Sequence, residues 1–182
     1  MTETLKGISV GVVNNEVHVR VVGRGTFQNS QPLRRYALEM LERGTKEFIV
    51  DLGTCDGMDS TFLGVLAGIG LRVAANGRAG HIRVANVSAR NLELLQTLGL
   101  DRLFSMNESY APPPSSTFHR LPDSDPMQLD KPLSKRDTAE LMLECHENLA
   151  KADKRNVAKF KDLTTFLRDR VDKPNAEGDK KK

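Results

Sequence analysis

The sequence predicts an α/β protein: a mixed β-sheet packed against helices in the order β-β-α-β-α-β-α-β, followed by a C-terminal helical extension. Three observations carry this reading. Short apolar runs of strand character alternate with helix-length segments over the first 110 residues. Six of the eight prolines then fall between Pro112 and Pro132, where neither a helix nor a sheet ladder is expected. Beyond them, residues 137–171 contain neither Gly nor Pro and repeat their apolar residues at helical spacing. The boundaries expected are a domain at 1–110, a Pro-rich linker at 111–132, a helical extension at 133–172 and a disordered tail at 173–182.

The first two runs, Ile8–Val13 and Glu16–Val22, alternate with period two around Asn14-Asn15 and predict a hairpin with a two-residue turn. A helix follows: Asn29 or Ser30 is the expected cap, Pro32 suits the first turn, and Gly44 ends it. Glu47–Leu52 is a continuous apolar run, as a strand buried on both faces requires. After a loop, GTCDGM, the segment from Asp59 is apolar nearly all round, so its helix should be buried. Its Gly64, Gly68 and Gly70 lower helix propensity but allow a neighbouring backbone, expected to be the sheet, to approach closely. His81–Ala85 reads as a strand, Ala89–Leu98 as a helix and Leu103-Phe104 as the start of a last strand. In the extension, the polar break Asp153–Asn156 favours a helical hairpin, with Asn156 the expected cap of its second helix. The apolar stripe requires a cover, either the domain itself or a second copy of the chain.

Composition excludes several function classes. Lys+Arg 27 against Asp+Glu 24 leaves a net charge of +3, too small for a nucleic-acid binder, and the absence of Trp argues against base stacking. No apolar run is long enough for a membrane span, and the N-terminus lacks signal-peptide character. Two cysteines, Cys55 and Cys145, favour a reducing compartment over a disulfide scaffold, so a cytoplasmic location is expected. Cys145-His146 lacks the spacing of a metal site, and Asp51 and Asp56 read as a strand-end charge and a turn residue. The chain has no phosphate-binding Gly-rich loop, no G-x-S-x-G elbow, and no histidine that its sequence position assigns as a base for Ser60. No cofactor, metal site, catalytic residue or intrinsic enzyme activity is therefore expected.

The segment Met58-Asp59-Ser60-Thr61-Phe62-Leu63-Gly64-Val65 concentrates what remains. Asp59 is a natural N-cap, which puts Ser60 in the first turn with its hydroxyl near the exposed end. One reading stops there, with Asp-Ser-Thr as a cap. The other makes Ser60 a phosphate acceptor, since the free N–H groups and dipole of a helix N-terminus favour an anion.

At these residues the chain resembles the STAS domains of bacterial anti-sigma factor antagonists. FIVDLGTCDGMDSTFLGVLAGI looks like their strand, loop and helix, and the likeness runs over about residues 5–110 in matching element order. The resemblance implies that Ser60 is the serine phosphorylated by an anti-sigma factor that is itself a serine kinase. It also implies that a PP2C-type phosphatase resets it, and that the unphosphorylated form sequesters the kinase. The implied docking face joins the helix start, Asp59, Thr61 and Phe62, to the loop Gly23–Asn29, with Gly25, Thr26 and Asn29. Two features depart from the family pattern: Phe62 stands where many antagonists have Gly, and GRGTFQNS replaces a Gly-x-x-Asp motif.

The reading is therefore a regulatory protein-binding module acting in transcription through partner switching. Two alternatives stand beside it: an accessory STAS subunit of an ABC-type lipid transport complex, and an oligomeric scaffold assembled through the C-terminal helices.

Overall fold

In a computed structural model of the chain, residues 6–75, 82–107, 110–123 and 133–172 are described. The expected tail, the N-terminal five residues, His81 and the linker residues 124–132 lie outside them. Strands β1 (Gly7–Val13) and β2 (Glu16–Gly25) pair antiparallel, and Asn14 and Asn15 turn the chain at φ 50° and 66°. Positive φ at both turn residues matches the twist of the flanking strands, and Asn tolerates it. Then follow α1 (Phe27–Glu42), β3 (Glu47–Met58), α2 (Ser60–Ala75), β4 (Ile82–Ala85), α3 (Ala89–Thr97) and β5 (Phe104–Asn107). The expected α/β order holds, with β3, β4 and β5 added in parallel beyond β2.

One face of the sheet carries the core. Val17, Val19 and Val21 of β2, Phe48, Val50 and Leu52 of β3, and Ile82 and Val84 of β4 are buried against Leu33, Phe62, Leu66 and Leu95 of the helices. The opposite face is polar, with His18, Arg20 and Asp51 on neighbouring strands. Asp51 accepts from the Gly53 N–H at 3.0 Å and from Asn86 Nδ2 at 2.8 Å, which accounts for its burial without a metal. Among the described residues no cluster of His, Cys, Asp and Glu is arranged to hold a metal ion.

Part of the Pro-rich segment crosses this polar face. Tyr110 stacks on His18 and its hydroxyl lies 3.1 Å from His18 Nδ1, while the Arg20 guanidinium sits 4.0 Å over the Phe118 ring. Within it a short strand, β6 (His119–Arg120), pairs antiparallel with Val10 and Ser9 of β1. A ladder was not expected among these prolines. It forms at an edge, on residues whose own N–H groups are intact.

Burial pushes the His18 pKa below its ordinary 6.5, with Glu16 opposing the shift and Arg83 adding to it. Below pH 6.5 the unfolded chain therefore binds a proton that the folded chain resists, and stability falls as pH drops through that value. Urea midpoints of wild type and His18→Gln should converge between pH 7.5 and 5.5. A gap independent of pH would show that His18 titrates alike in both states.

Three element boundaries differ from expectation, the first being β2, which runs on from Val22 to Gly25. The GTCDGM segment continues β3 rather than leaving it, because two register shifts against β2 let the strand run on to Met58. Helix α1 starts at Phe27, ahead of Asn29 and Ser30, so Pro32 lies in its second turn. The reason is a tertiary cap, described below.

The extension forms a helical hairpin, α4 (Lys135–Ala152) and α5 (Arg155–Asp172). Its apolar stripe is seated on α2 of the same chain, with Leu141, Cys145 and Leu149 buried in the common core. Of the two covers expected for the stripe, the domain itself supplies this one. Asn156 does not cap α5: its Nδ2 donates sideways to the Leu98 and Leu149 carbonyls at 2.9 and 2.8 Å. Asp153 accepts from the Arg155 N–H instead, and its hydrogen bonds from Arg155 hold its carboxyl down at about 2.

Candidate functional site

The site forms where β3 meets α2. The Asp59 N–H donates to the Gly25 carbonyl at 2.9 Å, tying the end of β3 to the end of β2. Asp59 Oδ1 accepts from the Phe62 N–H at 2.8 Å, the N-cap bond expected for α2. Its other oxygen, Oδ2, accepts from the Phe27 N–H at 2.7 Å. One carboxylate thus serves the first turns of two helices, where anionic acceptors are favoured. Asn29 finishes the junction, accepting from the Thr26 N–H at 2.8 Å and donating to the Arg24 carbonyl at 2.9 Å.

Ser60 opens α2 and is partly exposed. Its Oγ lies 3.0 Å from Nε2 of His146, which comes from α4 and is 1% exposed. His146 Nδ1 lies 2.6 Å from the Met142 carbonyl oxygen. A carbonyl only accepts, so Nδ1 carries the hydrogen, Nε2 presents a lone pair, and the Ser60 hydroxyl donates to it. Phe160 of α5 packs edge-on against the imidazole at 4.8 Å and fixes its plane.

Two glycines bring α4 close enough for this contact. A Cβ on Gly64 would lie 2.6 Å from Cys145 Cβ, and a Cβ on Gly68 would collide with the Asn148 amide. Gly64 and Gly68 therefore make room for a helix rather than for the sheet. Gly70 alone of the three faces the sheet side, against Leu103 and Phe104. Glu144 ties α4 further to Arg34 of α1 at 2.6 Å and to Arg72 of α2 at 3.5 Å. Burial pushes the Cys145 thiol up to about 12, so it stays protonated and serves packing.

The expected docking residues divide into two groups. Thr26, Asp59 and Ser60 are partly exposed around the junction. Phe62 and Thr61 are not available to a partner: their side chains are 0% and 4% exposed. Phe62 fills the place where a Cβ on Gly25 would come within 2.5 Å of its ring, so the Phe at this position and the Gly25 opposite are matched in volume. Asn29 is buried as well and shapes the loop from within. The expected loop Gly23–Asn29 is mostly strand end and first helical turn, with Thr26 alone between β2 and α1. Beside it lies a cleft of about 530 Å³ lined by Lys6, Gly23, Arg24, Thr26, Asn29 and Asp56.

His146 was missed in the sequence. It stands 86 residues from Ser60 in the chain, in a segment outside the domain, and no local spacing links the two. The only available signal was a polar residue inside an otherwise apolar helical stripe.

The family model described as "Mlab, STAS domain" matches residues 8–106, more than half of the chain. Among solved structures, the unphosphorylated anti-sigma factor antagonist SpoIIAA is similar at a TM-score of 0.50 and 18% identity, covering 57% of this chain and 90% of that one. A Thermotoga maritima protein assigned as an anti-sigma factor antagonist is similar at 0.50 and 18%, covering 55% and 85%. At such identities these two show the fold. No curated protein matches. The matched residues take in the strands β1 to β4 and the helix opened by Ser60, and leave the hairpin outside: the chain belongs to the STAS domain family.

Proposed function

We propose that this chain is an anti-sigma factor antagonist-like module whose binding to a serine kinase partner is switched by phosphorylation of Ser60. The single observation that supports this best is the position of Ser60, a partly exposed hydroxyl in the first turn of α2 beside the doubly capping Asp59. A phosphate there is tolerated by the helix dipole and by the fold. Its effect falls on the partner, because about two added negative charges must be crowded or buried at the contact.

The hairpin narrows the face on which that partner docks. With α4 against the flank of α2, the open surface is the junction itself: Ser60, Asp59, Thr26 and the adjoining cleft. The partner is proposed to approach α2 end-on. A PP2C-type phosphatase would restore the binding form, and ATP would belong to the kinase.

Ser60→Ala should keep partner affinity, and Ser60→Asp should weaken it by about tenfold or more, with full phosphorylation costing about a hundred- to thousandfold. Isothermal titration with the cognate kinase measures both, and equal affinities for the two variants would count against the switch. Phosphopeptide mapping of the protein from its own cells tests the acceptor directly. A phosphate found only at other residues removes Ser60 from the role.

A second reading has one observation in its favour. The Ser60 hydroxyl is already engaged by His146, as suits a serine that is never modified. In that reading the chain is an accessory subunit clamping the ATPase of an ABC-type lipid transport complex. The described residues include no helix long and apolar enough to cross a membrane, so such a role would require contact with a separate membrane component.

A further inference from the structure

We propose that His146 is the proton acceptor for Ser60, so that the C-terminal hairpin completes a serine nucleophile directed at phosphoryl donors. The proposal rests on Ser60 as the acceptor and adds the residue that activates it. Three features of the geometry carry it. The Ser60 hydroxyl and His146 Nε2 are 3.0 Å apart, within reach for direct proton transfer. The Met142 carbonyl, 2.6 Å from Nδ1, holds the imidazole in the tautomer whose free lone pair faces the serine. This is the pattern of an activated nucleophile: a hydroxyl, a base, and a third group orienting the base.

The third feature is the contrast in exposure. Ser60 is partly open to solvent while His146 is 1% exposed, so a donor reaches Oγ from outside with the base already behind it. Packing alone does not account for His146. Leu141, Cys145 and Leu149 line the same seat, and a leucine at 146 would fill it with no polar group to satisfy.

In the reaction, Ser60 Oγ attacks the γ-phosphorus of ATP held by the partner kinase. The Oγ–P bond forms, the bond from that phosphorus to the β–γ bridging oxygen breaks, and ADP leaves. The hydroxyl proton passes to His146 Nε2. The imidazolium so formed donates from Nδ1 to Met142 and from Nε2 to the new phosphoserine, a charge-assisted contact.

The test uses the full chain and an alkyl fluorophosphonate, with no need of the partner. Attack by Oγ forms an O–P bond and expels fluoride, while the proton again goes to His146. The expected result is one adduct, mapped to Ser60 by peptide mass spectrometry and absent from Ser60→Ala. His146→Gln should label about 100-fold more slowly, the size of a general-base contribution. Labelling of wild type should also slow in deuterated water, which a packing role for His146 would not produce. That second measurement decides alone if amide exchange shows the hairpin unseated in His146→Gln. No Ser60 adduct in wild type, equal rates in a His146→Gln protein with its hairpin seated, or no solvent isotope effect would overturn the proposal. The two claims fail separately: probe labelling through His146 without cellular phosphate at Ser60 removes the acceptor reading, and kinase phosphorylation unchanged by His146→Gln removes this one.

Discussion

Replacing Gly64 by leucine is expected to unseat the C-terminal hairpin while leaving the sheet folded. Even a single Cβ at this position would stand 2.6 Å from Cys145 Cβ and press on the Cys145 carbonyl. Helix backbone cannot swing aside as a flexible side chain does, so the cost lies at or above the top of the usual 1–3 kcal/mol for overpacking. The hairpin carries the loss, because α4 reaches the core mainly through α2. Amides of α4 and α5 should exchange faster, those of β2 and β3 should keep their protection, and the Ser60–His146 bond should be lost. Ala158→Leu, on the exposed side of α5, is the control and should change little. If exchange in the hairpin is unaffected by Gly64→Leu, the α2–α4 contact does not hold it.

Asp59→Ala is expected to destabilise the domain by about 2–4 kcal/mol, beyond the usual effect of losing one cap. The carboxylate accepts from Phe62 at 2.8 Å and from Phe27 at 2.7 Å, so its removal leaves donors of two helices without their charged partner. Asp59→Asn is the informative companion. Its one amide oxygen can serve a single N–H, while its NH₂ group opposes the other, so most of the loss should remain. Urea denaturation of the three proteins measures this. An Asp59→Ala midpoint shift worth only the roughly 1 kcal/mol of an ordinary cap would mean that the Phe27 bond contributes nothing.

These two positions also show what was legible in the sequence. Asp59 as the cap of α2 was, because a cap is a local pattern of residue type and distance along the chain. Its second bond was not, because Phe27 lies 32 residues away and only the pairing of β2 with β3 brings it there. The start of α1 was misplaced for the same reason: Asn29 and Ser30 are good local caps, and a carboxylate from the junction of β3 and α2 acts ahead of them. The glycines of α2 were recognised as sites of close approach, but only Gly70 meets the sheet side; the partner of Gly64 and Gly68 was a helix from beyond the linker. Phe62 was read as a surface departure from the family pattern, and burial opposite Gly25 makes it a core residue. Periodicity gave the hairpin turn at Asn14-Asn15, the buried character of α2 and the break between α4 and α5. Groups joined across the fold, Ser60 with His146 above all, left no periodic trace.

Under the proposed switch, the charge at Ser60 decides which proteins this chain holds. Affinity capture from its native lysate, with wild type and Ser60→Asp as baits and mass spectrometry as readout, tests it most directly. The expected result is a kinase-like anti-sigma factor retained by wild type and depleted on Ser60→Asp. The same proteins on both baits would contradict it, and a transporter ATPase among them would move the accessory-subunit reading to first place.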